Sequence, residues 1–274
     1  MSMFSSPKVI FWFSFGSLLF FGCDTASKRE NEKIKILQSG KVIETNFGDC
    51  DTTTNAGVAI KVSLWEPSDS TKAARVIRGS LAKKLIQRIN SYADSASIAA
   101  NPAAVASVKG AFEVFQKNYL DFKKQMPDAP GCWQVDLKGD TVMTTSKALF
   151  YQLDHYAFTG GAHPNSFRSF HAFDAKTGNE REMKTFVTDS VALLKLVEQH
   201  FRKLEKLGPE ADLEQSGYFL LNHRFFMPAN YVFTSNGLLF YYNPYEIAPY
   251  VRGGIEFTIT YAELGELVKK DQIF

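Results

Sequence analysis

Hydrophobic positions in the first half of the chain repeat with two different periods. Apolar and polar residues alternate from Val58 to Leu64, which is the pattern of a half-buried β-strand. Two later segments repeat every three to four residues and predict amphipathic helices that open near Ser70 and at Asn101. The apolar stripe of the second helix consists of Val105, Val108, Phe112, Phe115, Tyr119 and Phe122. Shorter strand signals precede them at residues 34–37.

The second half of the chain carries strand patterns separated by turn signals. An apolar strand is predicted at 149–158, and another at 166–173 follows a loop whose adjacent glycines permit positive φ. A third helix is expected between Thr188 and Leu207, where apolar residues again recur at helical spacing. The chain closes with a strand at 255–260 and a short helix.

Turn residues predict two hairpins. The Asn-Gly pair at 236–237, between two apolar runs, is the strongest short hairpin signal in the sequence. A second hairpin is expected where Lys-Gly-Asp at 138–140 separates the apolar runs 133–137 and 141–143.

The order of these elements predicts an α+β protein. Strands and helices group into two consecutive units of antiparallel sheet, each packed with helices. The N-terminal α+β unit would span residues 34–143, and the C-terminal α+β unit residues 144–274. The aromatic stripe of the second helix is expected to pack on its sheet, with a ligand cavity as the less favoured alternative.

The first 22 residues have the pattern of an export signal. Lys8 precedes an uncharged apolar run of 14 residues, from Val9 to Gly22, whereas a membrane-spanning helix needs about 20. The end of this run, with Gly22 directly before Cys23, resembles the bacterial lipobox. That resemblance implies cleavage before Cys23 and lipid on its sulfur and amine, and two or more acyl chains anchor a protein stably in the lipid bilayer. The polar residues 23–33 would form a flexible tether.

Composition and charge narrow the class of protein. The chain has 274 residues, of which 45% are hydrophobic and 22% charged, so it is expected to be globular rather than disordered. The 31 Lys and Arg residues are balanced by 29 Asp and Glu, and no concentrated basic surface favours a nucleic-acid partner. We therefore expect a protein of the cell envelope, lipid-anchored at the periplasmic face or in the outer membrane.

Two cysteines remain after the expected lipidation of Cys23. Because an exported protein lies in an oxidising compartment, Cys50 and Cys132 are expected to form a disulfide. The alternative is a pair of buried free thiols.

Two motifs in the second half resemble a known family. The run from Tyr156 to Asn165 reads YAFTGGAHPN, and the run from Asn243 to Tyr250 reads NPYEIAPY, with Gly253 shortly after it. In this order they resemble the C-terminal domain shared by PdaC-like and RsiV-like bacterial envelope proteins. The resemblance is strong over about residues 145–270, and residues 33–143 match the family's companion domain in outline.

The resemblance implies an extracytoplasmic binding role. Some family members are anti-sigma factors whose outer domain binds lysozyme, and others carry a polysaccharide deacetylase domain. No Asp-Asp-Gly deacetylase motif appears in this sequence, so no active site is carried over. We therefore expect a binding module for a protein or glycan ligand, with a lysozyme-type muramidase or a peptidoglycan fragment as the specific candidates.

Enzyme chemistry finds little support in the sequence. The five histidines are His155, His163, His171, His200 and His223, and none has the spacing of a His-Glu-x-x-His zinc motif. Asp154 and His155 are adjacent on a predicted strand and so point to opposite faces. A Gly-x-Ser-x-Gly elbow is absent from the sequence. We assign no cofactor, metal or catalytic residue, and a hydrolase acting on peptidoglycan or another envelope polysaccharide remains the alternative function.

The candidate binding residues come from the irregular stretches that join well-patterned strands, since loops carry recognition. They are Gly160, Gly161, His163, Asn165, Tyr242, Asn243, Tyr245, Glu246 and Tyr250. The competing interpretation makes the glycine loop a tight structural turn and the tyrosines ordinary packing residues.

Overall fold

The computed structural model describes Leu37 and residues 39–274, apart from Thr52, Asn55 and Pro130. The predicted signal segment, Cys23 and the tether lie outside the described residues. Among the helices in the described part of the chain, none is both long enough and apolar enough to cross a membrane.

A six-stranded sheet forms the larger layer. Its strands follow one another in chain order, and every neighbouring pair is antiparallel except β2 and β3, which are parallel. The strands are β1 (Gly40–Asp51), β2 (Ala56–Pro67), β3 (Trp133–Thr144), β4 (Ala148–Phe158), β5 (Asn165–Asp174) and β6 (Glu180–Arg181).

Helices cover one face of this sheet. The connection between the parallel strands β2 and β3 contains α1 (Lys72–Asn90), the short α2 (Ser95–Ala100) and α3 (Val108–Gln125), as a parallel crossover requires. Thr71 and Ser107 cap α1 and α3 by accepting hydrogen bonds from backbone N–H groups. The prediction of one helix from residue 101 is wrong in detail, because a 3-10 helix at Pro102–Val105 precedes α3.

A second layer follows β6. It contains α4 (Ser190–Leu204) and an antiparallel sheet of β7 (Asn230–Phe233), β8 (Gly237–Tyr242) and β9 (Ile255–Thr260). The chain ends with the short helices α5 (Tyr261–Leu264) and α6 (Lys270–Ile273). The Asn-Gly hairpin between β7 and β8 is confirmed.

The hairpin predicted at 138–140 is wrong, because β3 runs straight through these residues. Gly139 faces the helix-covered core, where a Cβ atom would overlap the Tyr151 hydroxyl and the Leu64 side chain. The Tyr151 hydroxyl donates a hydrogen bond of 2.8 Å to the carbonyl of Trp65. Gly139 therefore lies where side chains approach the strand closely. Glycine is found at such positions as well as in turns.

The α+β fold class is confirmed. The predicted boundary at 143–144 falls inside β3, one residue before its end, and β3 pairs with β4 along most of its length. Leu149 and Tyr151 of β4 lie in one core with residues of β2, α1 and α3, whereas Ala148 and Phe150 lie in the core of the second layer. The two predicted units therefore share the six-stranded sheet.

Cys50 and Cys132 lie at disulfide distance, with their Cα atoms 5.7 Å apart. This separation is in the usual range for a disulfide. Cys50 belongs to the edge strand β1, and Cys132 directly precedes β3, so the pair joins two strands that flank β2.

Candidate functional site

The two sequence motifs meet in space. The β4–β5 loop brings His163 against Tyr250, and the two rings stack with centroids 4.0 Å apart and an interplanar angle of 16°. The hydroxyl of Tyr245 lies 3.3 Å from Nε2 of His163, and the rings of Tyr245 and Tyr250 are 5.6 Å apart. We call these three residues the aromatic cluster.

Tyr245 presents its ring to solvent from a strained backbone. Its side chain is 57% exposed, and its φ is +69°, in the left-handed region. That conformation costs an L-residue about 1–2 kcal/mol, and glycine adopts it without strain. A tyrosine at this position therefore calls for an explanation beyond the shape of the turn.

Asn243 and Glu246 hold the turn in place. The Asn243 side chain accepts a 2.7 Å hydrogen bond from the Arg168 N–H and donates a 2.9 Å bond to the Arg168 carbonyl. The Glu246 carboxylate accepts bonds from the backbone N–H groups of Asn243 and Ala229. These two predicted binding residues thus satisfy backbone groups, and they position Tyr245 relative to β5.

Tyr242 belongs to the core rather than to the surface. Its side chain is fully buried, its hydroxyl donates to the Phe226 carbonyl at 2.7 Å, and its ring meets Phe201 edge to face. Burial also raises the pKa of this hydroxyl. The prediction that Tyr242 contacts a ligand is wrong, because β8 turns this side chain toward α4.

The remaining predicted residues lie along the loop itself. Gly160 and Gly161 have φ values of +89° and +106°, which only glycine adopts readily. Asn165 is exposed at the start of β5, where it pairs with Ala157 of β4. The glycines shape the loop that carries His163, while Asn165 lies at its exit.

A groove of about 590 Å³ lies next to the aromatic cluster, on the face of the large sheet that the helices leave open. Its floor is made of side chains at alternate positions on five neighbouring strands. They are Glu44, Asn46, Lys61, Ser63, Asp136, Lys138, Asp154, Tyr156, Ser166 and Arg168. Tyr241 of β8 forms the wall on the side of the small sheet.

Arg168 is the central cation of this groove. Its guanidinium binds Asp154 at 2.7 Å and Glu256 at 2.8 Å, and it lies 4.6 Å from the centroid of the Tyr241 ring. Burial raises the pKa of the Tyr241 hydroxyl, which therefore stays protonated. Because Asn243 holds the backbone of Arg168, the groove and the aromatic cluster share one scaffold.

The groove also contains an acceptor without a partner. The Gln134 amide donates to Oδ2 of Asp136 at 2.6 Å, whereas Oδ1 of Asp136 is shielded from solvent and has no hydrogen bond. A hydrogen bond from a ligand or a water molecule would stabilise this buried acceptor.

Sequence reasoning missed the groove, although one signal was present. Polar residues occupy every second position on β3 and in the second half of β4, as in Asp136 and Lys138 or Asp154 and Tyr156. The pattern alone cannot tell a groove floor from an ordinary solvated sheet face, because both are polar at alternate positions.

Within the described residues, no three or more His, Cys, Asp and Glu side chains are grouped as metal binding would require. Asp154 and His155 do point to opposite faces, with Asp154 in the groove pairing with Arg168 and His155 on the helix side against Tyr92.

Comparisons with known proteins place the chain near a family of unknown function. Residues 186–262 match the family described as Protein of unknown function (DUF3298). This match includes the second layer and Tyr245 and Tyr250, but it stops short of the His163 loop. None of the curated protein sequences matches the chain.

Two solved structures share the fold. A DUF3298 family member from Bacteroides fragilis NCTC 9343 has a TM-score of 0.64 and 21% sequence identity, and the similarity covers 86% of this chain and 95% of that one. A DUF3298 family protein from Pseudomonas aeruginosa PAO1 has a TM-score of 0.61 and 18% identity, with 85% and 95% covered. The likeness therefore extends over both layers.

Proposed function

We propose that this chain is a lipid-anchored binding module of the bacterial cell envelope, with a protein or glycan as its ligand. The observation that carries the proposal is the aromatic cluster, in which two motifs 82 residues apart in sequence, at His163 and Tyr245, meet at the surface. The resemblance to PdaC-like and RsiV-like domains supports an extracytoplasmic role, and the similarity to the DUF3298 family is compatible with that resemblance.

The exposed tyrosine is the strongest sign of recognition. Tyrosine and arginine are enriched among the residues that dominate binding energies, and Tyr245 keeps a large exposed ring in a conformation that glycine would adopt more easily. The stacked His163 and Tyr250 rings behind it limit the rotamers of the cluster, so a ligand would order few additional side chains.

The groove extends this surface. Its carboxylates, amides and cations can exchange hydrogen bonds with hydroxyl, amide or charged groups, and Tyr156 and Tyr241 offer ring faces at its edge. Both a peptide loop and a sugar chain carry these groups. The RsiV-like resemblance makes a lysozyme-type muramidase the first ligand to test, with a peptidoglycan fragment as the second.

Binding is tested with the full chain purified in detergent. Isothermal titration with lysozyme, and separately with soluble peptidoglycan fragments, should give saturable binding to one of them. His163→Ala and Tyr245→Ala should each weaken that binding by about thirtyfold, which corresponds to about 2 kcal/mol for an interface anchor. Leu120→Ala is the matched control, because Leu120 on α3 is similarly exposed, at 51%, and lies outside both motifs.

Tyr245→Gly separates recognition from folding. Glycine relieves the left-handed backbone, so thermal stability should be equal to that of the wild type or slightly higher, while binding should weaken about as much as in Tyr245→Ala. If Tyr245→Gly binds as the wild type does, the aromatic cluster is structural. If neither ligand binds the wild type, the binding proposal is wrong.

Anchoring is tested separately through Cys23. A labelled fatty acid should be incorporated into the wild type and not into Cys23→Ala. Equal labelling of the two proteins would contradict the lipoprotein part of the proposal and leave the binding surface unaffected.

A further inference from the structure

A second cluster of polar side chains lies on the other face of the large sheet. Ser169 and His171 occupy alternate positions of β5 and so point the same way, toward α1. Glu180 belongs to β6, the neighbouring strand at the sheet edge. None of the three residues takes part in the aromatic cluster or the groove.

The three side chains form a continuous hydrogen-bonded array. Oγ of Ser169 lies 3.2 Å from Nε2 of His171, and Nδ1 of His171 lies 2.8 Å from Oε1 of Glu180. The hydroxyl thus faces Nε2 of the imidazole, and the carboxylate faces Nδ1. A serine nucleophile is activated by this arrangement.

The electrostatics fix the protonation states that this chemistry needs. Burial of Glu180 acts to raise its pKa, but hydrogen bonds from His171 and Lys84 outweigh burial and bring it to about 2, so the group is a carboxylate. Burial lowers the pKa of His171 below its ordinary value, with Lys84 and Arg88 acting in the same direction and Glu180 against them. A neutral His171 that donates from Nδ1 to Glu180 keeps Nε2 free to accept a proton from Ser169.

A small cavity opens beside the hydroxyl. It has a volume of about 270 Å³ and lies between α1 and β4–β5. Besides Ser169 and His171, its lining includes the cationic side chains of Lys84 and Arg88 and the amide of Gln87. Positive charge and N–H donors next to a nucleophile stabilise the oxyanion that forms when it attacks a carbonyl. The volume suits an acetyl or similarly short acyl group.

We propose that Ser169, His171 and Glu180 form a hydrolytic triad for short-chain carboxylic esters. Ser169 Oγ bonds to the acyl carbon while its proton passes to Nε2 of His171, and the ester C–O bond breaks as the leaving alcohol takes that proton. Water then attacks the acyl-serine, again giving its proton to His171, and the carboxylic acid leaves as Ser169 regains its hydrogen. Glu180 is a positioning residue that holds the tautomer and orientation of His171.

Covalent labelling of the full chain tests the nucleophile. A fluorophosphonate probe should attach to the wild type, and mass spectrometry of the digest should place it on Ser169. Ser169→Ala should remain unlabelled. Ser80→Ala is the matched control, because Ser80 lies on α1 outside both the groove and this cavity, and it should label as the wild type does.

Turnover of 4-nitrophenyl esters tests the reaction. The wild type should hydrolyse the acetate faster than the octanoate, and Ser169→Ala should lose activity by about a hundredfold or more. Absence of labelling and of turnover in the wild type, or equal activity in Ser169→Ala, would overturn the proposal. The Ser169 hydroxyl would then have a structural role, donating a hydrogen bond of 3.3 Å to the Leu153 carbonyl of the neighbouring strand.

The pH profile tests Glu180. Activity should rise with pH as His171 loses its proton, and the midpoint of this rise should lie below 6.5, the ordinary pKa of histidine. Glu180→Gln removes the group that raises the pKa of His171, so kcat should fall while the rising limb moves to lower pH. A loss of kcat without movement of the limb would remove Glu180 from the triad. Because this array is on the helix-covered face, its failure and a failure of the binding proposal are independent results.

Discussion

The two halves of β4 differ in what covers one of their faces. Side chains at even positions of this strand point away from α1 and α3 along its whole length. At the start of the strand, Ala148 and Phe150 meet the second layer, and both are fully buried. Further along, Asp154 and Tyr156 line the open groove, and Tyr156 is 38% exposed.

The residue types follow this difference in coverage. Where β4 is covered on both sides, the sequence is continuously apolar from Ala148 to Tyr151, as in strands buried on two faces. Where the second layer ends, polar and apolar residues alternate. The groove exists because the smaller layer covers only part of the large sheet. The residue pattern of β4 changes at the point where this coverage ends.

The strongest test of this comparison removes a ring from each half. Phe150→Ala should lower the free energy of unfolding by about 3–5 kcal/mol, because the Phe150 ring packs against Phe186 and Phe233 and leaves a cavity when deleted. Tyr156→Ala, on the same face of the same strand, should cost less than about 1 kcal/mol. Urea denaturation measures both. Equal losses would mean that the groove face is as tightly packed as the covered face.

A second test compares the central strand with the edge strand. β4 has paired neighbours on both sides, whereas β1 pairs only with β2 and is tied to the start of β3 through Cys50 and Cys132. The double variant Cys50→Ser/Cys132→Ser should lose about 2–4 kcal/mol, because the cross-link closes a long loop and restricts the unfolded chain. Unfolding with and without reductant measures the effect. Two freely alkylatable thiols in the native protein would contradict the cross-link itself.

A third test measures how the stability depends on pH, because His155 lies on the helix-covered face of β4, next to Asp154 on the groove face. His155 is buried on the helix side beside Tyr92, and burial together with the positive charge of Arg88 lowers its pKa to about 4, against 6.5 when exposed. The unfolded chain therefore takes up the proton first, so stability present above pH 6.5 is lost as the pH falls toward 4. At pH 5 the loss from this group is about 2 kcal/mol.

The measurement is the unfolding free energy at pH 7 and at pH 5. His155→Gln should reduce the fall between these values by most of that amount, and the part that remains is expected from His171, whose pKa burial also lowers. An unchanged pH dependence in His155→Gln would mean that His155 is hydrated in the native protein.

Local patterns in the sequence were sufficient for much of the fold. Alternation identified β2, an apolar run identified β4, helical spacing identified α1, α3 and α4, and Asn236-Gly237 identified the hairpin between β7 and β8. These predictions succeed because each depends on residues that are neighbours along the chain. The export signal and the lipidation of Cys23 are also local patterns, and they stay predictions.

Two errors show what a local pattern cannot contain. Gly139 was assigned to a turn, yet it makes room for Tyr151 and Leu64, which come from other strands. Tyr242 was assigned to the binding surface, yet α4 and the Phe226 segment enclose it. In both cases the sequence singled out a residue that does have a specific structural role. The partners that explain this role lie far away in sequence.

The sequence by itself determined most of the helices and strands, the α+β class and the two segments where a surface site is proposed. The tertiary structure decided that His163 and Tyr250 stack, that a polar groove adjoins them, and that Ser169, His171 and Glu180 align on the opposite face. The physical reason is that segments distant in sequence cover some faces of the strands and leave others open. A strand pattern tells which side chains share a face, but only the packing of distant segments determines whether that face becomes a core, a groove or a site.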